Sequence, residues 1–174
     1  MTNTVLIEGR TWRTGVTDPE ELRELSGLEI IERMGQGDLP MPPMAGVLPL
    51  TPHAWERGRV EFRARPEAGF ANPMGSVHGG WTMTMLDTAM AVAAHTTLAA
   101  GEVYASIDTA VRFTRAIFES VGEMRVFGEV LARGRTIITC TGRLEDGSGK
   151  LYATGTSSCL VSRMPAVDAS DAIR

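Results

Sequence analysis

The chain has 174 residues, 43% of them hydrophobic and 22% charged, with a formal net charge of -4 and a pI of about 5.4. These values exclude intrinsic disorder and fibrous structure and suit one domain built around one core. No block of like charge occurs and the overall field repels phosphate, so nucleic acid is not an expected partner. Lys150 is the only lysine, which makes nearly all the positive charge arginine, the side chain shaped for bidentate contact with phosphate or carboxylate.

Residues 1–16 read as a loosely packed N-terminal arm, 17–164 as a single domain and 165–174 as a flexible tail of small and polar residues. The apolar run in the arm is too short for a secretory signal, and the expected location is the cytoplasm. Asp18-Pro19-Glu20-Glu21 supplies a capping residue, a proline at the first helical position and acids in the first turn. Leu22, Leu25, Leu28 and Ile31 then recur at helical spacing, with a break at Gly27 and an end at Gly35 or Gly37, which predicts one or two short helices across 18–35. Leu39-Pro40-Met41-Pro42-Pro43 cannot continue a helix or a central strand and is expected to cross the surface or a groove as extended chain. Short apolar or alternating runs predict strands over 46–50 and 59–65.

Small and apolar residues from 79 to 100, closed by Gly101, predict a helix about 30 Å long. Ala89, Ala91, Ala93 and Ala94 would let it approach its neighbours closely. The hydrophobic period then changes to two, predicting strands over 103–113, 123–132, 136–145 and 151–162 in an antiparallel meander, with turns at Arg133-Gly134-Arg135 and Asp146-Gly147. The expected class is α+β, with a long helix wrapped by an antiparallel sheet of about five to six strands. Cys140 and Cys159 fall on predicted strands without a Cys-x-x-Cys motif or an adjacent histidine, so they read as buried reduced thiols and no metal site is expected.

Asp87 is the only formally charged side chain between Glu67 and Glu102, and it sits inside the predicted long helix. It either hydrogen-bonds a neighbouring backbone group or Thr84 as part of the structure, or acts as nucleophile or general base. A membrane-spanning helix with an intramembrane acid is opposed by the threonines at 82, 84, 88, 96 and 97, by His95, and by the lack of aromatic or basic flanks. At the start of the same helix, Gly79 and Gly80 offer unpaired N–H groups at the positive end of the helix dipole, where a carbonyl oxygen can come close. His78 reads equally as a satisfied turn histidine, and Trp81, Met83, Met85 and Met90 either line a pocket or fill the core.

The run Asn72-Pro73-Met74-Gly75-Ser76-Val77-His78-Gly79-Gly80, followed by Met85-Leu86-Asp87, resembles the signature of hotdog-fold acyl-CoA thioesterases of the phenylacetate-degradation type, within the 4-hydroxybenzoyl-CoA thioesterase superfamily. The similarity continues through Ala105-Ser106-Ile107-Asp108, Val111-Arg112-Phe113-Thr114-Arg115 and Gly134-Arg135-Thr136, and departs at Arg115-Ala116, where many members have Arg-Pro. The resemblance implies a hotdog fold that hydrolyses an acyl-CoA thioester to a free acid and coenzyme A. In that reading the Gly79 N–H polarises the carbonyl, assisted by Asn72, and His78 shapes the leaving-group side. Asp87 would be nucleophile or general base, and Ser106 would orient the attacking water. Gly80, Trp81 and Met83 are candidate substrate contacts. Arg112, Arg115, Arg133 and Arg135 are candidates for the coenzyme A phosphates, with solvated surface charge as the alternative.

Coenzyme A then enters as part of the substrate, and no metal or redox cofactor is expected. The same fold also hosts acyl-thioester dehydratases and hydratases and non-catalytic acyl-CoA-binding domains, which stay as alternatives. Gly79 and Asp87 are separated by about 12 Å of helix rise, too far for one chain to place both against one carbonyl. A homodimer, or a homotetramer made as a dimer of dimers, is therefore expected, with Gly79 of one chain facing Asp87 of the other.

Overall fold

The computed structural model describes residues 3–7, 10–48 and 50–164. Among these, the chain forms β1 (Asn3–Ile7), β2 (Arg10–Thr14), α1 (Pro19–Arg23), α2 (Gly27–Gln36), β3 (Leu50–Glu56), β4 (Arg59–Ala64), α3 (Gly79–His95), β5 (Glu102–Phe113), β6 (Met124–Arg133), β7 (Ile137–Asp146) and β8 (Leu151–Arg163). The last six strands make one antiparallel sheet in the order β3-β4-β6-β7-β8-β5, and α3 packs across it against β4, β6, β7, β8 and β5. This is the α+β hotdog arrangement expected from the sequence, a long helix packed against an antiparallel sheet of six strands. The expected tail, 165–174, lies outside the described residues.

Three glycines explain why the helix lies where it does. Gly128, Gly142 and Gly155 are register partners across β6, β7 and β8 and form a side-chain-free furrow. A Cβ on Gly128 would stand 2.1 Å from the Ala89 carbonyl oxygen, and one on Gly155 would stand 3.0 Å from the Met90 Cε. Ala89, Ala93 and Ala94 on the facing side of α3 are fully buried, as are Met85, Leu86 and Met90. The helix stops at His95, short of the expected 100. Thr96 and Thr97 bond back to the carbonyls of Ala93 and Ala94 at 2.7 Å each, and the Thr96 hydroxyl also accepts from the Gly58 N–H.

The N-terminal third differs from expectation in three ways. Residues expected as a loose arm contain the β1–β2 antiparallel pair, and Trp12 is buried against Met41 and Ala45. The strand expected over 46–50 begins only at Leu50, because Pro43–Gly46 forms a single 3-10 turn. β3 then tolerates Pro52 because it is an edge strand, with a register shift between Pro52 and Ala54. The break expected at Gly27 is a helix start: Ser26 and Glu29 form a capping box. Gly27 has no room for a side chain, since a Cβ would fall 1.8 Å from the His95 carbonyl oxygen.

α2 ends at Gly37 in the left-handed region, and the chain from Leu39 to Leu48 then runs as a strap. Met41 ties it to β2 through Met41 N–H to Arg13 O (2.8 Å) and Gly15 N–H to Met41 O (2.9 Å). The meander is confined to β6-β7-β8. β5 leaves that sequence order to pair with β8 and becomes the far edge of the sheet.

Candidate active site

His78 caps α3: its Nδ1 accepts the Gly80 N–H at 3.0 Å, while the Trp81 N–H bonds to the His78 carbonyl. The accepting Nδ1 puts the ring proton of the neutral imidazole on Nε2. Of the first N–H groups of the helix, that of Gly79 makes no hydrogen bond among the described residues. It opens on a cavity of about 320 Å³ shared with Phe113, Thr114 and Arg115. A side chain at position 79 would press on the Phe113 ring, 3.2 Å from the ideal Cβ.

The loop before the helix is held by Asn72. Its Oδ1 accepts from the Met74 N–H at 2.9 Å and its Nδ2 donates to the Ser76 hydroxyl at 2.8 Å, so in this chain the Asn72 amide braces the 72–76 turn. Gly75 completes the turn with a positive φ of 81°. His78 N–H to Phe70 O (2.7 Å) and Val77 N–H to Ile117 O (2.8 Å) fix the angle at which the loop enters α3.

Asp87 lies two turns along α3, half-buried, and points at β5. The Thr109 hydroxyl donates to Asp87 Oδ1 at 2.7 Å, and Ser157 stands 3.2 Å behind Thr109 while donating to the Asp108 carbonyl. A bulge in β5 makes this contact possible. Ser106 pairs with Cys159, Asp108 with Ser158 and Thr109 with Ser157, so Ile107 is the extra residue and both Ser106 and Thr109 face the helix. Without the bulge, Thr109 would point away from it. Asp87 therefore has the structural bond weighed in the sequence, supplied by Thr109 rather than Thr84, whose hydroxyl bonds the Gly80 carbonyl at 3.0 Å.

The thioesterase superfamily model matches residues 74–153. Among solved structures, a phenylacetic acid degradation-related protein from Ralstonia eutropha JMP134, assigned as a thioesterase, is 31% identical over 74% of this chain and 97% of that one, with a TM-score of 0.69. The chain belongs to the thioesterase superfamily. The PaaI protein from the E. coli phenylacetic acid degradation operon shares the hotdog fold at 18% identity (80% of this chain, 94% of that one, TM-score 0.67). So does smu.793 from Streptococcus mutans UA159, solved bound to acetyl CoA, at 17% identity (66% and 89%, TM-score 0.60). No functionally curated protein matches the sequence significantly.

The remaining expected contacts of this thioesterase-superfamily chain are dispersed. Trp81 is a core residue stacked on Phe70, with its indole N–H unpartnered, and Met90 lies fully buried over the glycine furrow. Met83 is 42% exposed, and Gly80 has given its N–H to the His78 cap. Arg115 sits at the Gly79 end of α3 and donates to the Leu151 carbonyl at 2.6 Å. Arg133 is at the opposite end, paired with Glu102 at 3.0 Å, with Arg135 two residues along the same turn. Arg112 and Arg135 are exposed, and their side chains make no hydrogen bond or ion pair among the described residues. Ser106 is 4.0 Å from the Cys159 sulfur. The Cys140 thiol, hydrogen-bonded to Cys159 and buried, is held well above the usual thiol range.

Thr109 and Ser157 were not singled out from the sequence. A serine or threonine on a strand carries no signal until the bulge shows which way it faces. Among the described residues no group of three or more His, Cys, Asp or Glu side chains is arranged to hold a metal, and no helix is long and apolar enough to cross a membrane.

A second cavity, of about 200 Å³, lies on the other side of α3. The strap supplies Met41, Ala45 and Leu48, and α3 supplies Thr84, Thr88 and Val92. His95 and Tyr104, with ring centroids 5.2 Å apart, line the end nearest the C-terminus of α3. Burial pushes the His95 pKa down to about 4, so its ring is neutral at neutral pH. Burial, with Cys159 and Asp87 nearby, raises that of Tyr104.

Proposed function

We propose that the chain hydrolyses an acyl-CoA thioester to a free acid and coenzyme A at a site shared between two subunits. The reading rests on the unclaimed Gly79 N–H at the positive end of α3, in a family of thioesterases whose expected helix acid, Asp87, has one carboxylate oxygen held by Thr109. The Gly79 N–H binds the thioester carbonyl oxygen and stabilises the negative charge that develops there. Asp87 of the partner subunit either attacks the carbonyl carbon or takes a proton from the attacking water. In the water route the new C–O bond forms as the water proton passes to the carboxylate. Collapse of the tetrahedral intermediate then breaks the C–S bond, and the proton goes to the departing thiolate. Water, a carboxylate and an N–H suffice, so no metal or redox cofactor is required.

The edge strand supports the dimer. β5 runs 12 residues along the open edge of the sheet, and Ile107 and Phe113 on it are 58% and 54% exposed. An unpaired edge of that length invites pairing with a second copy. Antiparallel pairing of two β5 strands brings Arg133 of the partner subunit and Arg135 of the partner subunit to the Arg115 end, gathering arginines for the coenzyme A phosphates. Two buried free cysteines fit a reducing cytoplasm.

Asp87→Asn is the direct test, because the replacement is nearly isosteric and still accepts from Thr109. Turnover of acyl-CoA, followed by thiol release, is expected to fall at least about a hundredfold with the circular dichroism unchanged. Near-normal hydrolysis by the folded variant would rule out the assignment. Attack by Asp87 expels the thiolate and leaves a mixed anhydride that water then opens, so one turnover in ¹⁸O-water that gives unlabelled acid and puts ¹⁸O into the Asp87 carboxylate marks the nucleophilic route. Labelled acid arises from direct attack by water or from opening at the acyl carbon, and trapping of the anhydride with hydroxylamine separates those two.

A further inference from the structure

The roof of the 200 Å³ cavity comes from the strap, which lies outside the 74–153 stretch that matches the family. Its lining contains no Asp, Glu, Lys or Arg. The Thr84 hydroxyl is occupied by the Gly80 carbonyl, and His95 is neutral, so no charge inside could compensate an acyl group carrying one. The volume is somewhat above the roughly 150 Å³ of a void that holds benzene and below the roughly 300 Å³ at which pockets for drug-sized ligands begin. Its position fits the chemistry. Thr84 lies about one turn before Asp87 and Thr88 directly follows it, and the stripe Thr84, Thr88, Val92, His95 runs the cavity away from the carboxylate along α3.

We propose that this cavity receives the acyl group and limits the substrate to compact, uncharged, apolar acyl chains of about hexanoyl length, with the strap as its outer wall. The inference rests on the acyl-CoA reading above. A short acyl group leaves the cavity unfilled, a long one exceeds it, and an acyl group ending in a carboxylate buries a charge without a partner.

Calorimetric binding of coenzyme A thioethers to the full chain tests it without depending on turnover, since a thioether cannot be hydrolysed. S-hexyl-coenzyme A is expected to bind at least about tenfold more tightly than S-methyl-coenzyme A, the gain from burying as few as two methylenes. S-(5-carboxypentyl)-coenzyme A should bind no more tightly than S-methyl-coenzyme A. Val92→Phe, which fills the cavity, should erase the hexyl advantage, and Ala45→Leu narrows it from the strap side should the first variant fail to fold. Equal or absent binding of the hexyl and methyl thioethers by the wild-type chain overturns the proposal, as does an advantage that persists in a folded filled variant. A hexyl preference in a chain that hydrolyses no thioester would reject the Asp87 chemistry and keep the pocket. Hydrolysis without any such preference would do the reverse.

Discussion

Thr109 is the side chain on which the orientation of Asp87 depends. A hydrogen bond to a carboxylate contributes about 1.5–3 kcal/mol, and losing it also frees the acid to rotate. Thr109→Val is therefore expected to lower kcat at least about tenfold, whereas Thr109→Ser, which keeps the donor, retains most of it; steady-state kinetics on both variants checks this. His95 gives a second test at this scale. Its pKa is depressed from 6.5 to about 4 in the folded state by burial, so between those values the unfolded chain takes up a proton that the folded chain refuses. Stability should thus be complete above pH 6.5 and fall as pH drops towards 4, by roughly 3 kcal/mol over the window. Urea titrations at pH 7 and 4.5 should show that loss in the wild type and little of it in His95→Gln.

Two elements meet at the glycine furrow, where α3 is seated against β6, β7 and β8 without intervening side chains. Gly128→Ala would drive a methyl into the Ala89 carbonyl oxygen, which belongs to the helix backbone and cannot rotate aside. Helix and sheet must separate locally, at a cost of about 1–3 kcal/mol or more. Gly147→Ala meets nothing within 4 Å and serves as the control. Thermal denaturation should show a lowered midpoint for the first and almost none for the second. The β5 bulge works at the same scale, because a single extra residue decides that both Ser106 and Thr109 face α3.

Across the whole molecule, the proposed site needs a second subunit, because about 12 Å of helix rise separates Gly79 from Asp87. A chain carrying Asp87→Asn and a chain carrying Gly79→Pro should each be inactive alone. Proline is tolerated at the first helical position and removes the N–H that the carbonyl needs, while its ring also presses on Phe113, 3.2 Å from the ideal Cβ, so circular dichroism must show the variant folded. Mixed dimers from co-expression, purified through two different tags, should regain hydrolysis, because one of their two sites combines an intact Gly79 with an intact Asp87. If both residues served one site from the same chain, no mixture could recover activity. Purified mixed dimers without turnover would reject the shared site.

The sequence by itself determined the long helix, the four later strands to within about a residue, and the Asn-to-Asp motif on and before α3. Each is written in local periodicity or in contiguous spacing, so the chain neighbours alone carry the information. Tertiary structure decided what those neighbours cannot. A Cβ-free furrow exists only once Gly128, Gly142 and Gly155 are brought into register from three strands. Thr109 reaches Asp87 only because β5 bulges and pairs with β8 at the sheet edge. The N-terminal third was least legible: its short strands and prolines have weak local preference, and its shape is set by docking of α2 on α3 and β3 and of the β1–β2 pair on the strap. The arginines show the same limit. Their number is plain in the sequence, but it took the fold to place Arg115 at one end of α3 and Arg133 at the other.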